Sequence, residues 1–323
     1  MQLEDIFTPI DRCLADGVAL RGLTQAHLQQ VRLDIEYLIS LAIENAFARK
    51  GYAASEYIRT FATHIVKATH RRSTLAMNKA TVSSARDYDP VSVISLNWDI
   101  VLDKALHATL TENDKGLSGR YDPIGVVDYC CYISSLDEHD ERVKPGLWAL
   151  GAKGYNVKLL KLHGSMNWLQ CTTCQRLFVA FDGKFTVIDP SRRQRCRHCE
   201  KNDLQSSLQG SLVMPTFLKD LSNFQVKLVW QNAGVELMEA RKVVFIGYSL
   251  PHADFEFRQL LSRTIHKDAK IRVVLWKGRT KTDRLRYLEE RARYRQFFPR
   301  QIPQITGRGV ISYVRNMRIL PIH

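Results

Sequence analysis

Five short apolar runs set what this chain can fold into: "VSVISL" (91–96), "VKLLKL" (157–162), "SLVMP" (211–215), "KVVFIGYSL" (242–250) and "IRVVLW" (271–276). They are nearly continuous in apolar residues rather than alternating, so both faces of each strand must be covered. Helical spacing follows the first run at Ile100, Leu102, Ala105, Leu106 and Leu110. It follows the fourth at Phe255, Phe257, Leu260 and Leu261, from about Asp254. Strand, polar corner, helix, repeated, predicts an α/β chain: a Rossmann-like doubly wound parallel sheet with helices on both faces. Ligands of such sheets sit beyond the carboxyl ends of the strands. The corners "NWD", "HGS" and "GYS" stand at those ends, and are expected to converge on one crevice.

The first 75 or so residues have a different character. Leu28, Val31, Ile35, Leu38 and Ala42 form a helical stripe with Thr24 as its N-cap. Ile58, Phe61, Ala62, Ile65 and Val66 form a second. The domain reading is a helical portion over 1–85, a Rossmann-like domain built from 86–168 and 208–323, and an inserted module over 169–207.

That insertion is marked by cysteine. Of seven cysteines, four fall in "CTTC" (Cys171, Cys174) and "CRHC" (Cys196, Cys199), with 21 residues between the pairs. "LFVAF" and "FTVI", joined by "DGK", read as a hairpin between them. Two such knuckles on a hairpin bring four thiolates to tetrahedral corners, the donor set of a closed structural zinc site, a zinc ribbon. Four thiolates leave no position for substrate, so His163 and His198 are surplus as ligands. Cys13, Cys130 and Cys131 stand outside the pattern, which fits a reduced compartment rather than a disulfide framework.

Apolar residues make up 45% and charged residues 25% of the 323, enough for a large core and contrary to disorder. No run of 18 apolar residues occurs, so no membrane span is expected. The N-terminus lacks the basic-then-apolar pattern of a secretory signal, and the expected location is cytoplasmic. The net charge of +14 favours anionic partners. Nine basic residues against three acidic ones lie between Trp276 and Arg300. Segment 277–300 reads as a solvated helix face, or alternatively as a contact surface for nucleic acid or another partner. Arg192, Arg193, Arg195 and Arg197 around the second knuckle raise the same alternative.

In order and spacing, these motifs resemble the sirtuin superfamily over roughly residues 85–280. "SLNWDIVLDKAL" resembles the family's Asn-x-Asp corner, and "LKLHGS" its His-Gly segment. The reach from His163 to Cys171, and the spacing of the two cysteine pairs, are similar too. "VVFIGYSL" resembles the Gly-Thr-Ser-Leu nucleotide turn, with Tyr248 in the place of Thr. Gly-Tyr-Ser-Leu, "NWD" and "SMNWL" together resemble the prokaryotic sirtuin-like branch, whose members commonly hydrolyse NAD in anti-phage defence. The family's Gly-Ala-Gly-x-Ser phosphate loop is not found, and "MQLEDIFTPID" resembles a stretch that follows it. The expectation is that either the chain begins after that loop or the protein has lost it. Leu96 stands where sirtuins place Gln, and "VVLWKG" offers no match for the family's late Asn.

The resemblance implies NAD+ as substrate. His163 would be the general base, Asn97 would position ribose or water, and Asp99 would hold the carboxamide. Gly247, Tyr248, Ser249 and Gly164 would contact the cofactor, and Zn2+ would be structural. A homo-oligomer or a partner defence protein is expected to control activity. An NAD-dependent protein deacylase, or an impaired nucleotide- or nucleic-acid-binding subunit, are the alternatives. The same residues admit plainer readings. Asn97 and Asp99 can serve the start of the following helix, His163-Gly164 can be only a corner, and Trp98 and Trp168 can be core. Asp254 reads as a helix N-cap.

Overall fold

The computed structural model describes residues 3–49, 55–77, 91–116, 125–144, 154–181, 195–202, 204, 206–214 and 223–317. The chain divides into two units, Met1–Trp230 and Gln231–His323.

The first unit begins with three helices: α1 (Leu3–Asp16), α2 (Gln25–Ala48) and α3 (Glu56–Met77). Thr24 caps α2 as expected, its hydroxyl accepting from the His27 N–H at 3.4 Å. Arg32 on α2 ties α1 through Asp11 at 2.7 Å and also bonds Glu36 one turn on. The apolar stripe on α2 is only partly covered. Leu28 is fully buried, whereas Leu38, Leu33 and Tyr37 are exposed. On α3, Ala62, Ile65 and Val66 of the stripe are buried and Ile58 and Phe61 partly so.

A parallel sheet follows. Strands β1 (Ser92–Ser95), β2 (Gly125–Asp128) and β4 (Tyr155–Lys161) pair in the order β1-β4-β2, both outer strands parallel to the central one. Helix α4 (Val101–Gly116) carries the chain between β1 and β2. Val157, Leu159 and Leu160 of β4 are wholly buried, as a central strand covered on two sides requires.

A second, mixed sheet holds β3 (Ile133–Ser135), β5 (Gly164–Cys171), β6 (Leu177–Val179) and β7 (Leu208–Leu212) in the order β3-β6-β5-β7. Two expectations change here. The run at 211–215 does not join the parallel strands. Its described part lies at the end of β7, antiparallel to β5. A short apolar run carries no signal of strand direction, and the direction is set by pairing with a strand the sequence did not display. That strand is β5 itself: the stretch after His163, read as a crossing segment, is buried β structure carrying Trp168 at 0% exposure. "LFVAF" contains β6, while "DGK" and "FTVI" lie outside the described residues. Helix α5 (Arg197–Glu200) forms the second knuckle.

Helix α6 (Phe224–Glu239) leads into the second unit. There β8 (Lys242–Ile246), β9 (Lys270–Val274) and β10 (Gln304–Thr306) form a parallel sheet in the order β10-β9-β8. Helix α7 (Phe255–Thr264) connects β8 to β9, and α8 (Lys281–Phe297) precedes β10. A short α9 (Gly309–Arg315) follows. A capping box starts α8: Thr280 accepts from the Asp283 N–H at 3.1 Å and Asp283 from the Thr280 N–H at 3.2 Å. These bonds hold the Asp283 carboxyl below its usual range. Tyr287 and Tyr294 face inward and most of the basic residues of α8 face solvent. The chain is therefore α/β with parallel sheets, helices and a small cysteine-bearing sheet. No helix among the described residues is long and apolar enough to cross a membrane.

Candidate active site and metal centre

The four cysteines come together from three places. Cys171 ends β5, Cys174 follows in the tight turn, Cys196 is the N-cap of α5 and Cys199 lies within it. Their sulfurs all lie within 4.8 Å of one another. Cys171 and Cys199 are 3.7 Å apart, as are Cys174 and Cys196. A tetrahedral zinc with Zn–S bonds of about 2.3 Å requires sulfur–sulfur edges of about 3.8 Å, so the cluster fits the ion. Local chemistry agrees. Burial alone would raise the Cys171 thiol, but the backbone N–H groups of Cys174 and Thr173, each 3.4 Å from the sulfur, bring it down to about 7. Cys174 is pushed up to about 12, by burial first and then by its cysteine neighbours. The Cys171 thiolate therefore forms readily, and those of Cys174 and Cys199, both raised by burial first, form only with a cation to balance them. The knuckle is docked by Arg197. Its guanidinium donates to the carbonyls of Ser135 at 3.0 Å and Leu136 at 3.2 Å, and lies 5.2 Å over the Phe178 ring.

The histidine corner is built at the carboxyl ends of β1 and β4. Leu162 N–H donates to Ser95 C=O, and Met166 N–H to Trp98 C=O. These bonds bring the turn after β4 against the turn after β1. Gly164 makes the join possible. Its φ is +69°, and a Cβ there would lie 2.4 Å from the Ser211 carbonyl oxygen. Only glycine satisfies both demands. His163 is 6% exposed. Its Nδ1 lies 3.2 Å from the Leu96 carbonyl oxygen. A carbonyl can only accept, so Nδ1 carries a proton, and in the neutral form of the ring the lone pair is on Nε2. Trp230 stands beside the ring, with centroids 6.3 Å apart, its indole N–H held by the Leu162 carbonyl at 2.8 Å.

Asn97 is exposed, and its backbone N–H donates to Ser95 Oγ at 3.3 Å. Asp99 Oδ1 accepts from the Val101 N–H at 3.1 Å, so one carboxylate oxygen serves the start of α4. Oδ2 has no hydrogen bond among the described residues. The plain and functional readings of Asp99 are thus compatible.

Beneath this corner is a polar network that sequence reasoning missed. Lys161, at 1% exposure, spends its three N–H donors on the Asp99 carbonyl at 2.5 Å, Ser165 Oγ at 2.9 Å and Asp103 Oδ2 at 3.0 Å. Asp103, also 1% exposed, accepts from the Tyr129 hydroxyl at 2.9 Å on its other oxygen. Burial and the adjacent Asp103 push the Tyr129 hydroxyl well above its ordinary value. The network ties the backbone at Asp99 to the end of β4, two residues before His163. A lysine inside a strand run ordinarily reads as an edge or surface position. The one available signal was Asp103, an acid in the first turn of the helix leaving that same corner.

The glycine turn belongs to the second unit. Gly247 leaves β8 with φ +67° and donates to the Val274 carbonyl at 3.0 Å. A Cβ there would lie 3.3 Å from the Val310 side chain, a tight contact, and the positive φ itself favours glycine. Tyr248 turns inward, and its hydroxyl donates to Asp254 Oδ2 at 2.8 Å. Burial, then Asp254, raise that phenol well above its ordinary value. Asp254 does occupy the N-cap of α7, but its side chain makes no capping bond and serves Tyr248 instead. The Tyr248 and Ser249 carbonyls accept from the Tyr294 hydroxyl at 2.8 Å and Arg293 Nε at 3.1 Å.

No family model matches the sequence, and no curated protein does. Among solved structures, the chain is similar to a sirtuin from a study of the structural basis of sirtuin substrate affinity. The identity is 14%, over 65% of this chain and 67% of that chain, with a TM-score of 0.29. A superposition that loose carries no weight, and the α/β description rests on the strand pairing itself.

Proposed function

We propose that this chain is a sirtuin-like NAD+ hydrolase that releases nicotinamide and ADP-ribose, serving anti-phage defence. The observation that carries the reading is the histidine corner. A buried imidazole, fixed in one tautomer by the Leu96 carbonyl, stands at the carboxyl ends of two parallel strands. Following the neighbouring strand β1 are an exposed amide, Asn97, and a carboxylate, Asp99, one oxygen of which is uncommitted among the described residues. Parallel sheets place ligands at such ends.

The chemistry follows from those groups. The bond between nicotinamide nitrogen and ribose C1′ breaks, and nicotinamide leaves as a neutral base with the bonding pair. The ribose is left with oxocarbenium character at C1′. Asp99 accepts from the carboxamide N–H2 and orients the leaving group. Asn97 holds the attacking water or a ribose hydroxyl. The water oxygen bonds to C1′ and its proton goes to His163 Nε2, and from there to solvent. Lys161 keeps the Asp99 backbone in place by charge-assisted hydrogen bonding. Gly247 and Ser249 are the candidates for backbone approach to phosphate or ribose. Zinc, when bound by Cys171, Cys174, Cys196 and Cys199, holds the small sheet together and takes no part in the reaction. Control by self-association or by a partner defence protein belongs to the same proposal.

The test is product analysis of NAD+ incubated with the protein, with and without an acyl-lysine peptide. Nicotinamide and ADP-ribose in equal amounts, unaffected by peptide, is the expected result. Peptide-dependent turnover with loss of the acyl group would move the assignment to a deacylase.

A further inference from the structure

Beside the second cysteine knuckle, away from the histidine corner in the chain, lies a cavity of ≈ 250 Å³. Its lining includes Arg176, Arg197, His198 and Lys201, together with Tyr132 and Phe178. No carboxylate lines it among the described residues. Arg197 is built in: its guanidinium is fixed by the carbonyls of Ser135 and Leu136, lies over Phe178, and has Glu138 at 3.5 Å from Nε. The side chains of Arg176, His198 and Lys201 make no hydrogen bond or ion pair among the described residues. Tyr132 is 67% exposed, and its backbone N–H is pinned at 2.8 Å by the Gln225 side chain.

These features call for one kind of ligand. Cations converging on a concave wall that no carboxylate among the described residues lines attract an anion. An exposed aromatic ring on anchored backbone offers a flat apolar face, which a base can stack on and a carboxylate cannot use. A volume below the roughly 300 Å³ of clefts that enclose a drug-sized ligand suits one nucleotide, not a whole dinucleotide. The net charge of +14 favours a polyanion over a lone anion. We propose that this cavity seats one nucleotide of a single-stranded nucleic acid. The base stacks on Tyr132, and Arg176 and Lys201 hold the flanking phosphates against the fixed charge of Arg197. The site is independent of the NAD+ reading.

Fluorescence anisotropy of a labelled 15-nucleotide oligo-dT with the zinc-loaded full chain tests this. Tyr132→Ala should weaken binding roughly 5- to 100-fold, the range for loss of one stacked base. Arg176→Ala with Lys201→Ala should make the salt dependence shallower, by about 0.7 in log–log slope for each contact and about 1.4 for both. All three side chains are on the surface, and unchanged zinc content will show that the variants remain folded. Duplex DNA of the same length should bind less tightly and be insensitive to Tyr132→Ala. The site is refuted if oligo-dT does not bind, or if these variants leave the affinity unchanged. Equal losses from Arg284→Ala with Arg286→Ala on α8 would also refute it, leaving only general charge attraction. So would poly-glutamate binding with the same sensitivity to Tyr132→Ala.

Discussion

Replacing Lys161 with methionine tests whether the buried network sets the corner that carries His163. Lys161 and Asp103 are each 1% exposed and 3.0 Å apart. Methionine fills most of the space but leaves the Asp103 carboxylate buried with only the Tyr129 hydroxyl, and leaves the Asp99 carbonyl without its donor. Breaking a buried pair from one side costs about 3–5 kcal/mol. That is a large share of the roughly 5–15 kcal/mol that holds a domain folded. Replacing both charges with apolar groups is often nearly neutral, so Lys161→Met with Asp103→Leu should regain much of the loss. The double variant strands the Tyr129 hydroxyl at about 1–3 kcal/mol, and adding Tyr129→Phe should recover that as well. The assay is urea unfolding followed by tryptophan fluorescence. Three of the five tryptophans (Trp98, Trp168 and Trp230) belong to the first unit and one, Trp276, to the second, so the first unit's transition dominates the signal. A double-mutant cycle should return a coupling of about 2–3 kcal/mol. A single variant costing under about 1 kcal/mol, or losses that simply add, would refute the reasoning.

Other outcomes follow from the same geometry. Zinc capture by metal-free protein should slow as pH falls through about 7, where Cys171 takes up its proton; capture that is constant from about pH 6 to 8, followed with a zinc indicator, would contradict this. Gly164→Ala should destabilise far more than Gly17→Ala. Both glycines have nearly the same φ, +69° and +68°, but a Cβ at 164 meets the Ser211 carbonyl at 2.4 Å and one at 17 meets nothing within 4 Å. Strain alone is about 1–2 kcal/mol, so equal losses in thermal denaturation would show that the close approach at Gly164 does not matter. Thr280→Ala should lower stability by about 1 kcal/mol through loss of the α8 cap. Thermal denaturation monitored by circular dichroism would read it, and an unchanged midpoint would dismiss the capping box.

The strands that were legible in the sequence, β1, β4, β6, β8 and β9, are those dense in Val, Ile, Leu and Phe. Strands β2, β3 and β10 have only three or four residues each and, unlike β1, do not sit within a longer β-branched run. β5 was hidden because Ser165, Asn167 and Gln170 break its apolar run, although the first two are buried. Their burial depends on partners distant in sequence, such as the Ala180 carbonyl that accepts from Asn167 at 3.0 Å. The cysteine cluster was legible because ligand spacing is itself a geometric statement. The Lys161 network was not, since nothing in a single lysine's neighbours tells that an acid and a tyrosine wait beneath it. The same limit holds for Tyr248, whose inward turn toward Asp254 is a matter of packing.

The central claim is that His163 serves as the base in NAD+ cleavage. Its most direct test is the rate of nicotinamide release by the wild-type protein and by His163→Ala, with NAD+ binding measured in parallel. Release by the wild type that falls about 10²- to 10⁴-fold in the variant, with binding retained, is the predicted result. No release by the wild type, or equal release by the variant, would contradict it.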